Sequence, residues 1–215
     1  MARVLIFDVD GTLVDSTYHH ALAWQRAFAD CGIALPAWRL HRQIGKGGDQ
    51  LVPDVAGEQV ERRHGDRLRE RHDALFAEMI GEVQGFDGVP ELLADARAAG
   101  WRIALASSGH EEEVEHYVEL LGIDSLLDAR TSSADADASK PAPDIFSIAH
   151  ERAGGTPSDA SSALVVGDAP WDCVAARDAG MPMIGLLSGG FSACELRDAG
   201  VEQVFETVAE VRAAL

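Results

Sequence analysis

The chain has 215 residues, a length that fits one large domain or one domain with an insertion, and its 47% hydrophobic content excludes disorder as the main state. Its 36 acidic and 18 basic residues give a net charge of −18, which opposes binding to nucleic acid or to an anionic membrane. No apolar run approaches the ~20 residues that cross a bilayer, and the three scattered cysteines argue against a disulfide framework or a zinc site, so we expect a cytoplasmic protein that acts on a small molecule.

Short apolar runs rich in β-branched residues alternate with segments of helical pattern, and this alternation predicts a parallel sheet. The predicted strands are residues 3–7, 102–106, 163–166 and 183–186, with a weaker candidate at 126–130. Helices are predicted at 89–99, 111–121 and 173–179, because each segment has helical apolar spacing and is followed by a glycine. The expected fold class is therefore α/β, a Rossmann-like, doubly wound parallel sheet.

Residues 16–84 interrupt this alternation with helical patterning and no convincing strand. We predict helices at 19–31 and 58–80 and a short pair within 36–55. The division predicts a helical cap domain of residues 16–84, inserted into a core domain of residues 1–15 and 85–215, with a return hinge at 85–90.

Charge is distributed unevenly between the two predicted domains. Residues 16–84 hold 9 basic and 10 acidic residues, whereas the rest of the chain holds 9 and 26. Five of the eight histidines also lie in the insertion. Two interpretations remain open, an ordinary solvated helical surface and a lid whose cations help to meet an anionic substrate.

Two aspartates follow the first predicted strand directly, in the run Asp8-Val9-Asp10-Gly11-Thr12. Ligand sites of such sheets lie at the carboxyl ends of the strands, and a sharp turn at Gly11 would let both carboxylates point into one pocket. One carboxylate could bind a hard cation and attack, while the other moves protons. An exposed acidic turn is the alternative.

A second polar element, Ser107-Ser108-Gly109, ends the strand predicted at 102–106. A hydroxyl at that place, together with free backbone N–H groups, can hold a phosphate oxygen. The same residues could instead cap the helix that follows, so this element alone is a weak signal.

Two further elements complete the set. Lys140 is followed by Pro141 and Pro143, which restrict the backbone and would hold the lysine in a defined place. Asp168 and Asp172 follow the strand predicted at 163–166, where they could complete an oxygen-ligand site of the kind that Mg²⁺ prefers. A helix cap is the alternative for these acids, and both roles can coexist.

In this order and spacing the four elements resemble the haloacid dehalogenase superfamily, specifically its Mg²⁺-dependent phosphatases and phosphomutases with a helical cap, such as phosphoglycolate phosphatases and β-phosphoglucomutase-like enzymes. The resemblance covers essentially the whole chain and rests on the motifs Asp-x-Asp-Gly-Thr, Lys-Pro-x-Pro-Asp and Gly-Asp-x-x-x-Asp. Ser107 is assigned only from its position in the chain and not from a motif. It implies a phosphatase that needs Mg²⁺ and works as a monomer or homodimer. The substrate would be a small phosphorylated metabolite, such as phosphoglycolate, a sugar phosphate or a nucleoside monophosphate.

The resemblance also implies roles for individual residues. Asp8 would be the nucleophile that forms an aspartyl phosphate, and Asp10 the general acid and base, which Thr12 would help to position. Mg²⁺ would be held by Asp8, the backbone carbonyl of Asp10, and Asp168, with Asp172 supporting the metal and the lysine. The phosphoryl group would be bound by Ser107, Ser108, Gly109 and Lys140.

These roles need two similar acids in different protonation states. Asp10 must be protonated when the leaving oxygen departs, and a nearby like charge is expected to raise its pKa. Bound Mg²⁺ would act in the opposite direction on Asp8 and keep it ionised. Unequal environments would thus separate the nucleophile from the acid and base.

Other branches of the superfamily fit the sequence less well. Dehalogenases do not use a second aspartate as acid and base, because halide departure needs no proton, so Asp10 argues against them. The phosphonate-cleaving branch also lacks that aspartate and needs a Schiff-base lysine in its cap, where Lys46 is the only lysine. We keep Lys46 as a candidate substrate contact.

β-Phosphoglucomutase-like enzymes are the main alternative, since His20 lies where they place a cap histidine and is otherwise an ordinary helix residue or a substrate contact. Residues 44–49 lack the arginine expected in the mutase cap loop, and Gly167 precedes Asp168 where that family commonly has a second carboxylate. A catalytically silent binding protein of the same fold is the remaining alternative.

Overall fold

Six parallel strands form the centre of the protein, whose computed structural model describes residues 3–215. The strands are β1 (Val4–Phe7), β2 (Arg102–Ala106), β3 (Ala129–Thr131), β4 (Leu164–Gly167), β5 (Met183–Leu186) and β6 (Gln203–Phe205), in the spatial order β3-β2-β1-β4-β5-β6. The order reverses between β1 and β4, and ligands of such sheets bind at the carboxyl ends of the strands beside this reversal. The predicted α/β fold with a doubly wound parallel sheet is confirmed.

Helices cover both faces of the sheet, which explains the continuous apolar sequence of the central strands. Leu5 and Phe7 of β1 pack on one face in the large core cluster, whereas Val4 and Ile6 pack on the other face with residues of two helices. All four side chains are fully buried. β1 thus holds the residues that follow it in a fixed position.

The helices alternate with the strands everywhere except between β1 and β2. They are α1 (Thr17–Asp30), α2 (Ala37–His41), α3 (Gly48–Ala56), α4 (Glu58–Ala77), α5 (Val89–Ala98), α6 (Glu111–Leu121), α7 (Asp144–Arg152), α8 (Pro170–Asp178), α9 (Ala193–Asp198) and α10 (Val208–Ala214). None of those within the described residues combines the length and the hydropathy of a membrane-spanning helix.

Helices α1 to α4 form the segment that interrupts the sheet, where α1 and α3 both pack against α4. The chain leaves and re-enters the core side by side, since the Asp15 N–H donates to the Gln84 carbonyl at 2.8 Å and the Phe86 N–H to Leu13 at 3.0 Å. The predicted helical character of residues 16–84 is found, while their division from the core as a separate domain stays a prediction.

Several elements differ from those predicted. The weaker strand lies at Ala129–Thr131 rather than 126–130, and Asp124–Leu126 is a 3₁₀ turn. Helix α8 begins at Pro170 instead of residue 173, because proline fits the first helical turn, where its missing N–H costs nothing. The sequence analysis did not predict α9, β6 and α10, which are short elements at the end of the chain.

Candidate active site

The carboxyl ends of three neighbouring strands bring the acidic motif residues together. Asp8 directly follows β1, Ser107 follows β2 and Asp168 follows β4, and all three are buried. Lys140 comes from the segment between β3 and α7 and is fully buried. The predicted convergence of the four polar elements is therefore seen in the structure.

The turn after β1 depends on a glycine. Gly11 has a φ of 81°, and a side chain there would collide with the Asp168 carboxylate, whose Oδ2 would lie 2.6 Å from the new Cβ. The N–H groups of Thr12 and Leu13 both donate to the Val9 carbonyl, at 3.2 and 2.8 Å. This tight turn lets the chain reverse while Asp8 and Asp10 both reach the same pocket.

Lys140 is held by three oxygen atoms. Its ammonium donates to the Asp8 carboxylate and, at 3.2 Å, to the Ala106 carbonyl, and it lies 2.9 Å from Asp172 Oδ1. Burial alone would lower the pKa of Lys140, but the carboxylates of Asp172 and Asp8 raise it above its ordinary value. Lys140 therefore carries a fixed positive charge beside Asp8.

Three buried carboxylates form a cluster at this point. Each of Asp8, Asp168 and Asp172 offers an oxygen within 4.8 Å of the others. Burial raises the pKa of Asp8 to about 7, with Asp172 and Asp10 adding to the effect and Lys140 opposing it. Burial, Asp8 and Asp172 raise the pKa of Asp168 well above its ordinary value.

The single charge of Lys140 cannot balance these three carboxylates. Buried carboxylates without counter-charge are costly, and a set of carboxylate and carbonyl oxygens is what Mg²⁺ prefers. The donor set thus fits a divalent cation of this kind.

Asp10 lies beside the cluster in a different environment. It accepts hydrogen bonds from the hydroxyls of Ser16 at 2.6 Å and Ser107 at 3.3 Å, and its Oδ1 lies 3.1 Å from His20 Nε2. Burial alone would raise the pKa of Asp10, but the charge and hydrogen bond of His20, with the Ser16 hydroxyl, lower it. The expected upward shift of this pKa is therefore wrong for the structure, because the nearest charge is a histidine.

Thr12 does not occupy the expected place beside Asp10. Its hydroxyl donates to Asp168 Oδ1 at 2.8 Å and lies 3.3 Å from Asp8 Oδ2. Thr12 therefore orients the acidic cluster, while Ser16 and His20 hold Asp10.

His20 connects Asp10 to a pair of residues that the sequence analysis did not single out. His20 Nδ1 lies 3.2 Å from His72 Nε2 on α4, and His72 Nδ1 lies 2.9 Å from Asp73 Oδ1. The His20 ring also stacks on Phe76, with ring centroids 3.8 Å apart. Burial lowers the pKa of His72 to about 4, so His72 is neutral at pH 7. The concentration of histidines in residues 16–84 was the one sequence signal that pointed here.

A cavity of about 380 Å³ opens above Asp8 and Asp10, between the sheet edge and helices α1, α3 and α4. Ser108 and Gly109 line it as expected, and the buried Ser108 hydroxyl has no hydrogen-bond partner within residues 3–215. Ser107 lies just behind them and accepts a hydrogen bond from the Gly109 N–H at 2.9 Å.

Lys46 reaches the cavity wall, but its charge is already matched. The ammonium pairs with Asp54, donates to Gln43 at 2.7 Å and lies 3.5 Å from the centre of the Trp171 ring. Asp172, in turn, lies behind Lys140 and accepts a hydrogen bond from the Ala169 N–H at 3.0 Å, so it fixes the lysine and the start of α8.

Comparison with known proteins agrees with this arrangement. The sequence model of the haloacid dehalogenase-like hydrolases matches residues 5–186. The probable phosphatase IndB of Dickeya dadantii is 28% identical over 98% of this chain and 92% of its own. The validoxylamine A 7'-phosphate phosphatase of Streptomyces hygroscopicus subsp. limoneus is 30% identical over 87% of each chain. A crystal structure of a hydrolase from Pseudomonas syringae superimposes with a TM-score of 0.91 at 31% identity, over 98% of this chain and 96% of the other.

Proposed function

Because the chain belongs to the haloacid dehalogenase-like hydrolase family, we propose that it is a Mg²⁺-dependent phosphatase that hydrolyses a small phosphate monoester through an aspartyl phosphate on Asp8. The observation that carries the proposal is the buried set of Asp8, Lys140 and Asp168 at the sheet edge, with Asp10 separately hydrogen-bonded beside it. Asp8 and Asp10, the proposed nucleophile and acid–base group, thus line one cavity, with Lys140 and Asp168 next to Asp8.

In this proposal Asp8, Asp168 and the backbone carbonyl of Asp10 hold Mg²⁺, while Asp172 holds Lys140. When bound, Mg²⁺ supplies positive charge that neutralises oxygens of the phosphoryl group. Lys140 supplies a second fixed positive charge on the other side of Asp8. Both charges act in a buried site where water does not screen them, so they stabilise the transition state more than they would at the surface.

The first half-reaction transfers the phosphoryl group to Asp8. A carboxylate oxygen of Asp8 forms a bond to phosphorus as the ester P–O bond breaks, and the leaving oxygen takes a proton from Asp10. Ser107, Ser108 and Gly109 bind the phosphoryl oxygens through hydroxyl and N–H groups. The unpartnered Ser108 hydroxyl supports this part of the proposal.

The second half-reaction releases phosphate. Water attacks phosphorus, Asp10 takes its proton, and the bond between phosphorus and Asp8 breaks. Ser16 and His20 stabilise the ionised Asp10 carboxylate that accepts this proton, consistent with the lowered pKa of Asp10, and the proton that Asp10 takes from water is the one that it donates in the next turnover. His20 is therefore proposed as a positioning residue for Asp10 rather than as a substrate contact.

A phosphomutase of the β-phosphoglucomutase type is the second candidate, and the contact between His20 and Asp10 is the observation that favours it. A mutase must also hold a distant phosphate with a cation in the cap. Lys46 and Arg69 are the Lys and Arg side chains that line the described cavity, and both are paired with carboxylates of their own segment. We therefore propose that water, rather than a hydroxyl of the substrate, attacks the aspartyl phosphate.

Phosphate release from p-nitrophenyl phosphate with Mg²⁺ tests the proposal. Asp8→Asn should abolish release, while Asp15→Asn, a matched change at an exposed position, should leave it intact. Most of the activity surviving in Asp8→Asn would refute the nucleophile. Rapid interconversion of glucose 1-phosphate and glucose 6-phosphate with little free phosphate would favour the mutase, and no turnover of any ester would favour a binding protein. A cytoplasmic location and a monomeric or homodimeric state stay predictions.

A further inference from the structure

The cavity wall, which includes Asp49, Glu113 and Asp137, carries negative charge that no Lys or Arg side chain of residues 3–215 pairs with. We propose that this wall selects phosphate monoesters of amine-bearing alcohols and disfavours alcohols that carry a carboxylate or a second phosphate. The inference rests on the proposed phosphatase function and names its substrate class.

The two permanent cations of the wall are already neutralised. Lys46 is paired with Asp54 and covered by the Trp171 ring, and its side chain is only 6% exposed. Arg69 donates to both oxygens of Glu61, at 2.9 and 3.1 Å, and to Asp66 at 2.8 Å. A substrate anion would have to break these bonds, so neither side chain is an available anion site.

The histidines of the wall do not supply free positive charge either. His72 is neutral because burial lowers its pKa to about 4. His20 is paired with Asp10 at 3.1 Å, and His110 with Asp73 at 3.1 Å. Each charged histidine is thus matched by one carboxylate.

Carboxylates on the wall are not matched in the same way. Glu113 of α6 lines the cavity and, within the described residues, its side chain has neither a hydrogen bond nor an ion pair; burial raises its pKa, while the charges of His20 and His110 oppose that shift. Its carboxylate lies against Gly109, since a Cβ on that glycine would be 2.5 Å from Glu113 Oε2. Asp49 and Asp137 also line the cavity, and Asp49 takes its hydrogen bonds from neutral side chains.

The position of Glu113 beside Gly109 places its charge next to the proposed phosphoryl-binding segment. A short alcohol attached to the phosphoryl group therefore brings its second functional group near Glu113. An ammonium at this place gains an ion pair in a half-buried site, a hydroxyl gains a hydrogen bond, and a carboxylate meets a like charge.

Three two-carbon phosphates that differ mainly in charge test this inference: O-phosphoethanolamine, 2-hydroxyethyl phosphate and 2-phosphoglycolate. Each is measured as a substrate and as a competitor of p-nitrophenyl phosphate, so that a slow substrate still reports its affinity. We expect kcat/KM to fall in the order given, with about a tenfold difference or more between the amine and the carboxylate.

Glu113→Gln should reduce the preference for the amine over the carboxylate, because it removes the charge and keeps the size of the side chain. Glu112→Gln, an exposed change one residue earlier on α6, is the matched control and should leave the preference unchanged. Thermal unfolding of both variants checks that they fold. Equal or better use of 2-phosphoglycolate, or an unchanged preference in Glu113→Gln, would overturn the inference while p-nitrophenyl phosphate hydrolysis still supports the phosphatase. Failure to hydrolyse p-nitrophenyl phosphate would remove the proposed function and the inference with it.

Discussion

Asp8 and Asp10 are two residues apart, yet their carboxylates contact different side chains. Asp8 contacts Lys140 within a cluster of acids, whereas Asp10 is held by a histidine and two serine hydroxyls. In the proposed mechanism these different neighbours assign attack to Asp8 and proton transfer to Asp10. Because both residues lie in the same turn, the difference between their environments comes from side chains that are distant in the sequence.

Asp10→Asn tests this division at the residue scale. We expect it to slow alkyl phosphates far more than p-nitrophenyl phosphate, by about 10²-fold or more for the alkyl ester, since only a poor leaving group needs a proton. Steady-state kinetics on both esters measure the effect, with Asp15→Asn as the control. Equal losses on both would contradict the acid–base role.

Some of these contacts could be predicted from sequence and others could not. Asp8 and Asp168 directly follow buried strands, whose carboxyl ends a regular sheet brings to one edge, and Lys140 comes directly before the two prolines that restrict its loop. The contact of His20 with Asp10 depends on how α1 sits over the sheet, which no local pattern encodes. The contact of Thr12 with Asp168 depends on the turn geometry at Gly11.

At the scale of elements, several polar side-chain pairs join the inserted helices to the core. Asp73 of α4 pairs with His110 before α6, Asp49 of α3 accepts from Ser139 at 2.5 Å, and Arg42 pairs with Glu195 of α9. These are polar contacts at partly exposed positions, each worth little alone. Two further contacts are made by buried histidines, His20 with Asp10 at 3.1 Å and His41 with the Gly189 carbonyl at 2.8 Å, and separation of the inserted helices from the core would break both.

The pair of His110 and Asp73 predicts a pH dependence. The hydrogen bond to Asp73 raises the pKa of His110 to about 9, with Glu113 and Glu112 adding to it and burial opposing it. Because this folded-state pKa lies above the ordinary value of 6.5, the stabilisation is fully present below about pH 6.5 and is lost as the pH rises through about 9.

Thermal unfolding of wild type and His110→Gln from pH 6 to pH 10 measures this dependence. The difference in Tm between the two should be greatest at the low end and should shrink as the pH approaches 10. His116→Gln serves as a control at a histidine on α6 that does not line the cavity. A difference that stays constant or grows with pH would argue against the ion pair.

Movement of the inserted helices should be centred on the two crossing segments at residues 13–16 and 84–88. A bound phosphate analogue should protect their amides from hydrogen exchange, because closure limits water at the cavity during attack. Hydrogen exchange with and without vanadate and Mg²⁺ measures this effect, and the amides of β4 provide an internal reference. Unchanged exchange at both segments would indicate a static arrangement.

The pattern of predicted and missed elements has a physical basis. Strands β1, β2, β4 and β5 are flanked on both sides in the sheet and covered by helices, so their sequences are apolar apart from the exposed Arg102 at the start of β2. β3 and β6 are three-residue edge strands whose side chains, apart from the buried Thr131, are exposed or half-buried, and their sequences carry little signal. Helices α9 and α10 have six and seven residues, too few to show a clear period.

At the scale of the whole molecule, we expect the buried acids to make stability depend on a bound cation. The net charge is −18, and three buried carboxylates contribute to it at one point. A cation that binds only the folded state stabilises it by mass action. We expect millimolar Mg²⁺ to raise Tm by several degrees and EDTA to reverse the shift.

Thermal unfolding with and without Mg²⁺ measures this effect. Asp168→Asn should reduce the Mg²⁺-dependent shift strongly, whereas Asp198→Asn, an exposed change on α9, should leave it unchanged. An equal shift in all three proteins would mean that Mg²⁺ acts on the surface charge rather than at the cluster.

The points at which the chain leaves and re-enters the core lie side by side, and this affects how the sequence between them can change in evolution. Since the Asp15 N–H bonds directly to the Gln84 carbonyl, the core spans the same short gap whatever length of chain lies between those residues. Insertions, deletions or wholesale exchange of the intervening helices leave the closure of the core unaltered. Selectivity can thus evolve in one segment while the reaction chemistry is inherited unchanged in the other, and the junction at residues 15 and 84 marks where a chimaera of two relatives would be joined.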